Sequence, residues 1–227
     1  PRRIYAEGPD ALLSSLSGTY VTTLPELDFP SYIILPSKEP LLYVLVNAPP
    51  EPEALGPLQE SFPQYNLLFA DGTHVSFLRA PPYSREAALA LPEVALDWPS
   101  EAGLSMLGYT LDTATQPIQC TTYWRVEALY PGREEWYIGA FYHLLNQAGQ
   151  IITNISGHGQ WGYRWELGDV YVDTVGIPVP SDLALGEYRI AIGLFDCIHT
   201  RRYPLRSPDG STDAIFIPIT VRSPSGG

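Results

Sequence analysis

Residues 119–128 have the sequence QCTTYWRVEA, and residues 136–145 have the sequence WYIGAFYHLL. Both stretches are rich in aromatic and β-branched residues, which favour strands over helices. Between them lies Tyr130-Pro131-Gly132, a combination that is typical of turns. The pattern therefore predicts two strands joined by a turn.

The same pattern continues on both sides of these two strands, with turn residues at regular intervals. It predicts seven strands: Leu104–Leu111, Gln119–Ala128, Trp136–Leu145, Ile151–Ile155, Val170–Val175, Tyr188–Phe195 and Ala214–Val221. Seven short strands over about 120 residues are typical of an immunoglobulin-like β-sandwich. We therefore predict an antiparallel sandwich of this kind over residues 100–227.

Residues 1–82 have a different pattern, in which strand-like and helix-like segments alternate. Helical spacing of apolar residues occurs around Pro9–Gly18 and Pro52–Phe62, and Tyr32–Leu35 is one of the strand candidates. Asp71-Gly72 lies between two further strand candidates and is a strong hairpin signal. The order of elements predicts a small α/β domain whose mostly parallel sheet has an antiparallel hairpin at one edge.

The fold class expected from these patterns is α+β with two domains. Residues 1–82 form the α/β domain and residues 100–227 form the sandwich. Residues 83–99 are rich in Pro and Ala and are predicted as the linker between them. The 23 prolines of the chain fit this architecture, because proline limits long helices.

The charge balance and the missing motifs exclude several functions. The 227 residues include 13 Lys and Arg against 25 Asp and Glu, a net charge of −12. Nucleic acid is not expected as a partner because its phosphates need clustered cations. Anionic glycans are disfavoured because the net negative charge repels their approach. Apolar runs are far shorter than the ~18 residues of a spanning helix, so we expect a soluble piece. No glycine-rich phosphate loop and no metal-ligand spacing of histidines occur, so no cofactor and no metal are expected.

Three aromatic residues alternate along residues 161–165, next to the glycine-rich stretch Gly157-His158-Gly159. Aromatic rings offer an apolar face on which a sugar can stack. Trp161 and Tyr163 are therefore the candidate ligand-binding residues of this segment. Alternatively the rings cap one end of the sandwich core, which is the expectation for Trp165.

Asp169 and Asp173 lie four residues apart on a predicted strand, so their side chains are expected on the same face. Paired carboxylates serve as the acid and base of glycosidases, or as cation ligands. We therefore include both among the candidate ligand-binding residues. The alternative is that they belong to a solvated strand face.

Cys120 and Cys197 are the two cysteines of the chain. They form either one long-range disulfide or two small buried hydrophobic positions. Asp196, Cys197 and His199 lie close together in sequence, as in a cysteine–histidine nucleophile pair. Neighbouring strand residues point to opposite faces, however, and no activating third group is evident, so no catalytic residue is expected here.

Further motifs follow one another along residues 104–200. They are Leu107-Gly108-Tyr109, Thr122-Tyr123-Trp124-Arg125, Phe141-Tyr142-His143-Leu144-Leu145, Arg164-Trp165, Gly168-Asp169-Val170, Pro178-Val179-Pro180, Gly186-Glu187-Tyr188-Arg189 and Gly193-Leu194-Phe195-Asp196. In their order and spacing the chain resembles the β-sandwich module at the extracytoplasmic C-terminus of bacterial membrane glycosyltransferases of the dolichyl-phosphate-mannose–protein mannosyltransferase type. Residues 1–82 are similar to the small α/β segment that precedes this module.

The resemblance implies a location at the extracytoplasmic face of the cell membrane, beside the membrane domain of the same protein. It implies a glycan, a lipid-linked acceptor or a polypeptide acceptor as the partner. The family's catalytic acidic residues lie in loops of the membrane domain, so the resemblance assigns none to this chain and implies an accessory region. A carbohydrate-active hydrolase that uses Asp169 or Asp173, and a purely structural or adhesive module, are the alternatives.

Overall fold

The computed structural model describes residues 3–7, 20–23, 32–46, 64–68, 74–157, 159–162 and 165–221. This part of the chain contains one short helix, α1, Arg85–Leu89, and a 3₁₀ turn, Arg133–Glu135. The strands are β1 Arg3–Glu7, β2 Tyr20–Thr23, β3 Tyr32–Leu35, β4 Leu41–Val46, β5 Gln64–Leu68, β6 His74–Ala80, β7 Val94–Pro99, β8 Leu104–Asp112, β9 Ile118–Val126, β10 Tyr137–Leu145, β11 Ile151–Ser156, β12 Gln160–Trp161, β13 Val170–Ile177, β14 Gly186–Asp196, β15 Arg201–Tyr203, β16 Leu205–Ser207, β17 Gly210–Thr212 and β18 Ile215–Val221.

These strands form three sheets and one separate hairpin, β16–β17. The N-terminal sheet has the order β2-β1-β4-β6-β5. Sheet I has the order β3-β13-β9-β8-β7 and is antiparallel throughout. Sheet II is centred on β10 and β14, which pair with each other. β11 and β12 flank β10, and β15 and β18 flank β14, so this sheet is antiparallel as well.

All seven strands predicted beyond residue 103 are present, as β8, β9, β10, β11, β13, β14 and β18, with ends shifted by one or two residues. Sheets I and II contribute alternate side chains to one continuous buried cluster. In β10 these are Ile138, Ala140, Tyr142 and Leu144. The largely antiparallel strands and this shared core are consistent with a β-sandwich.

The N-terminal sheet agrees in part with its prediction. β5 and β6 pair in antiparallel fashion at one edge, as the Asp71-Gly72 signal indicates. β1 pairs in parallel with β2 and β4, whereas β4 and β6 are antiparallel, so the sheet is mixed. The helices predicted around Pro9–Gly18 and Pro52–Phe62 lie outside the described residues.

One strand of the predicted α/β domain belongs to sheet I instead. β3 pairs antiparallel with β13 over Tyr32–Leu35 and Val170–Asp173. Ile33, Ile34 and Leu35 are all buried, so both faces of this strand are covered. A strand that is apolar on both faces requires such a position, which β3 finds in the shared core.

Residues 83–99, predicted as a linker, contain α1 and β7, so the linker prediction is wrong for this stretch. The Ser84 hydroxyl caps α1, and β7 pairs with β8 at the edge of sheet I. Arg85 joins the two elements through hydrogen bonds of 3.1 and 2.7 Å to the Asp97 carboxylate. The division of the chain into domains at residues 82 and 100 stays a prediction.

We expect trypsin to cleave the native protein slowly after Arg85, because proteolysis requires local opening and this residue is anchored to β7. Asp97→Asn removes the carboxylate charge while keeping a residue type that tolerates the positive φ of this position. The variant should be cleaved faster after Arg85, as followed by mass spectrometry. Asp209→Asn, in the exposed β16–β17 turn, is the control. Cleavage after Arg85 as the first event in the wild type would contradict the anchoring.

Candidate functional site

Four aromatic side chains, which we call the aromatic corner, meet at the start of β10: Tyr130, Trp136, Trp165 and Tyr203. Trp136 is at the centre, with its ring centroid 6.4 Å from Tyr130, 6.4 Å from Trp165 and 5.9 Å from Tyr203. The Trp136–Trp165 pair is edge-to-face, with an interplanar angle of 71°. These distances lie in the range of favourable aromatic pairs.

The corner has buried rings at its base and accessible rings at its rim. Trp165 and Tyr203 are each 3% exposed, whereas Trp136 is half-buried and Tyr130 is 43% exposed. The base therefore holds the rim rings in place, and the rim offers aromatic surface to a ligand.

Backbone contacts explain why these rings meet. Trp136 follows the 3₁₀ turn, and its N–H donates to the carbonyl of Arg133 at 2.9 Å. Its own carbonyl accepts from Gly162 N–H, also at 2.9 Å. A Cβ atom at Gly162 would lie 2.1 Å from the carbonyl oxygen of Arg133, so only glycine lets the segment come this close. Trp165 then returns to the corner, where its N–H donates to the Gly162 carbonyl.

Of the two aromatic residues predicted to bind a ligand, Trp161 and Tyr163, the structure places only the backbone of Trp161 near the aromatic corner. β12 pairs Trp161 with Tyr137 at the start of β10, so the backbone of Trp161 lies beside the corner. The side chain of Trp161 and the whole of Tyr163 lie outside what the structure describes, as does His158. Their role in ligand binding stays a prediction.

Asp196 and His199 lie next to the corner at the end of β14. The carboxylate of Asp196 is fully buried and accepts backbone N–H groups of Ile198 at 2.9 Å, His199 at 3.4 Å and Tyr137 at 3.5 Å. Its second oxygen is 2.8 Å from Nδ1 of His199. Burial raises the pKa of Asp196, but the hydrogen bonds from His199 and the backbone outweigh it and the net pKa is lowered.

Polar groups on two further side chains complete the surroundings of the corner. Arg201 stacks its guanidinium on the Tyr203 ring at 4.8 Å and lies 3.5 Å from the carboxylate of Glu101. The side chain of His199 is about half exposed. The guanidinium of Arg201 thus lies on the base ring Tyr203, and the imidazole of His199 is held by the neighbouring Asp196.

Asp173 is buried, at 4% exposure, so the interpretation as a solvated strand face is wrong for this residue. Its carboxylate accepts the hydroxyl of Tyr142 at 2.8 Å, across the space between sheets I and II. The Tyr142 hydroxyl is also 2.7 Å from Oγ1 of Thr122, which accepts Nε1–H of Trp124 at 2.9 Å. Asp173 thus belongs to a buried polar chain that links the two sheets.

Asp169 is also fully buried, which corrects the same interpretation for the second carboxylate. Its Oδ1 accepts the backbone N–H of Ser37 at 3.0 Å and lies 3.3 Å from the Ser37 hydroxyl. Asp169 therefore fixes the segment after β3 to sheet I. The two carboxylates hold different parts of the fold, Ser37 and Tyr142.

The two cysteines are both free, so the disulfide alternative is wrong. Cys120 is buried in the shared core and Cys197 is exposed beside Asp196. Burial raises the pKa of both thiols, and the charge of Asp173 or Asp196 raises it further. Since the thiolate is the nucleophile, these surroundings do not activate either cysteine.

Comparison with known proteins gives no assignment: no family model, no curated protein and no solved structure matches this chain. In the described ranges, no group of three or more His, Cys, Asp or Glu side chains is arranged to hold a metal ion. No helix of those ranges is long and apolar enough to span a membrane.

We expect one reactive thiol in the native protein, Cys197, and two after unfolding without reductant, because Cys120 is covered by the core. A chromogenic disulfide reagent measures both numbers. Cys197→Ser, which removes the exposed thiol, should leave none reactive in the native state. If the unfolded, unreduced chain contains no reactive thiol, Cys120 and Cys197 form a disulfide and the prediction is wrong.

Asp196→Asn should destabilise the protein by about 1–3 kcal/mol at pH 7, because an acceptor of several buried donors is weakened. The folded-state pKa of Asp196 is lowered, so its contribution is complete above the unfolded-state pKa of about 3.9. That contribution is lost as the pH falls through the lower folded-state value.

Denaturant unfolding of both proteins between pH 7 and pH 3 measures this effect. The stability difference between wild type and Asp196→Asn should narrow below about pH 4. Asp209→Asn, in an exposed turn, provides the baseline. A difference that stays constant over the whole range would show that the charge of Asp196 contributes nothing.

Proposed function

We propose that this chain is a non-catalytic accessory region that contacts a saccharide through the aromatic corner. The observation that carries this proposal is the pair of accessible rings, Tyr130 and Trp136, backed by the buried Trp165. Sugars present apolar C–H faces and hydroxyl edges, and binding sites for them combine apolar surface with a few placed polar groups. Arg201, which lies on the Tyr203 ring, and the half-exposed His199 beside Asp196 are the polar groups that we propose for this role.

The positions of the carboxylates support binding over catalysis. A glycosidase needs two carboxyl groups that flank an accessible glycosidic bond. Asp169 and Asp173 are buried and engaged with Ser37 and Tyr142, so neither faces solvent. The hydrolase alternative therefore has less support than a binding role.

We further propose that the chain is the extracytoplasmic region of a membrane glycosyltransferase-like protein, as its resemblance to the mannosyltransferase type over residues 104–200 implies. The two antiparallel sheets are compatible with an immunoglobulin-like sandwich module, and the mixed N-terminal sheet with an α/β segment before it. In this role the chain would orient a glycan, a lipid-linked acceptor or a polypeptide acceptor beside its own membrane domain. The reading frame upstream of Pro1 tests this: several membrane-spanning segments support the proposal, and a cytoplasmic enzyme domain overturns it.

Tyr130→Ala should weaken saccharide binding at least several-fold with little change in the melting temperature, because the ring is accessible and carries little of the core. Trp165→Ala should instead destabilise by roughly 3–5 kcal/mol, since a buried aromatic side chain is removed. Trp161→Ala is expected to behave as Tyr130→Ala. A glycan array followed by titration calorimetry with the best neutral oligosaccharide measures binding, and thermal melting measures stability.

Leu185→Ala, which truncates an exposed apolar side chain elsewhere, is the matched control and should change neither quantity. The proposal is overturned if the wild type binds no saccharide at millimolar concentration. It is also overturned if Tyr130→Ala lowers the stability as much as Trp165→Ala does. The rings of the aromatic corner would then serve only as part of the hydrophobic core.

A further inference from the structure

The outer face of sheet II consists of the side chains that point away from sheet I. Strand alternation defines it, because the even-numbered residues of β10 and β14 lie in the shared core. Its members are Phe141, His143 and Leu145 of β10, Arg189, Ala191, Gly193 and Phe195 of β14, Arg202 of β15, and Phe216 and Pro218 of β18. Several of them form a small apolar cluster of their own, separate from the shared core.

Two arginines of this face lie over aromatic rings. Cζ of Arg202 is 4.6 Å from the centroid of Phe141, and Cζ of Arg189 is 5.5 Å from that of Phe216. Stacking of this kind holds a guanidinium flat while its N–H groups stay available at the edge. In the described part of the chain neither arginine has an ion pair, whereas Arg85, Arg125 and Arg201 do.

The rings under these arginines differ in exposure. Phe141 is covered by Arg202 and His143, whose ring centroid is 4.7 Å away, whereas Phe216 is 53% exposed. Gly193 makes room for Phe141, because a Cβ atom there would lie 2.5 Å from Cζ of the ring. Burial, followed by the charge of Arg202, lowers the pKa of His143, so the positive charge of this face at neutral pH comes from the arginines.

The geometry restricts what can bind to this face. β10 and β14 are paired on both sides, so their backbone groups are not available for an added strand. Self-association through a two-fold axis would place the arginines of two copies against each other, and each copy carries a net charge of −12. The face spans on the order of 400 Å², about half of the ~800 Å² that each partner buries in a stable protein interface.

A ligand for this face must therefore be anionic and must bury only a small surface area. It must also pack on an aromatic ring without forming hydrogen bonds to the strand backbone. Guanidinium groups pair with carboxylates through two parallel hydrogen bonds. The ring of Phe216 offers the apolar surface. The acidic Glu187 on the same face is engaged by the Thr220 hydroxyl at 2.8 Å. The overall negative charge is screened beyond about 10 Å at ordinary salt, so the local arginines dominate at contact.

We propose that the outer face of sheet II binds a carboxylate-bearing saccharide, with Arg189 and Arg202 pairing with sugar carboxylates and Phe216 stacking on a sugar ring. This site is separate from the aromatic corner and does not depend on its function.

Titration calorimetry of the whole chain with a hexuronic-acid hexamer tests the proposal, with a neutral hexose hexamer of the same linkage in parallel. We expect binding of the acidic oligomer that weakens as salt is raised from 50 to about 300 mM, because the contact is charge-assisted. Arg202→Gln and Arg189→Gln should each lower the affinity about tenfold or more. Arg202→Lys keeps the positive charge but loses the planar guanidinium that can form two parallel hydrogen bonds, so it should lower the affinity less than Arg202→Gln does.

Arg206→Gln is the matched control, since it removes the same charge from an exposed site on β16. It should leave binding of the acidic oligomer unchanged, as should Leu185→Ala, which truncates an exposed apolar side chain just before β14. Arg202→Gln should in turn leave binding of the neutral oligomer unchanged, which separates this face from the aromatic corner. Circular dichroism confirms that each variant is folded.

Three results would overturn the proposal: no binding of the acidic oligomer at millimolar concentration, an equal loss of its binding in Arg206→Gln, or binding of the neutral oligomer that Arg189→Gln and Arg202→Gln weaken as much as that of the acidic one. Tighter binding of poly-glutamate than of the acidic oligomer would also overturn it, in favour of an acidic protein partner.

Discussion

The chain of buried hydrogen bonds from Asp173 through Tyr142 and Thr122 to Trp124 is the interaction on which the two-sheet arrangement depends. Burying a carboxylate and a hydroxyl is costly unless they form hydrogen bonds, and the alignment of sheets I and II brings the Tyr142 hydroxyl to Asp173. Burial, together with the charge of Asp173, raises the pKa of Tyr142 well above its usual value, so the hydroxyl keeps the proton that it donates. Apolar side chains alone would tolerate several alignments of the two sheets. The polar chain selects one.

In this alignment the two sheets differ in what surrounds them. Sheet I gains β3 at one edge and β7 at the other, and Leu41, Ala80 and Ala88 from the preceding segments join its buried cluster. The outer face of sheet II has arginines and rings instead of a covering element of the described chain. The aromatic corner forms where β10 begins and β14 ends. The surfaces for which we propose ligands are therefore those that the fold leaves available at sheet II.

Much of the fold could be predicted because alternation is a local property. Seven of the eleven strands described beyond residue 103, and the β5–β6 hairpin, follow from period-two patterns and turn residues. β3 was assigned to the wrong sheet because a short apolar strand does not specify its partner. β7 was missed because it is an edge strand whose side chains are mostly accessible. The Pro and Ala content of residues 83–99 also favoured the prediction of a linker there. In an edge strand the alternation of buried apolar and exposed polar residues is weak, so such a strand is identified only by its backbone pairing in the structure.

The sequence by itself determined the β-rich architecture and the positions of seven main strands, because these depend on composition and on local periodicity. It could not determine the site. Tyr130 and Tyr203 are distant in sequence and meet at Trp136 only because β10, β14 and β15 are neighbours. Whether Asp169 and Asp173 face solvent depends on which segments cover them. The net charge of −12 likewise does not indicate the face of sheet II on which Arg189 and Arg202 lie over aromatic rings. Such properties arise from contacts between residues far apart in the chain, so only the tertiary structure decides them.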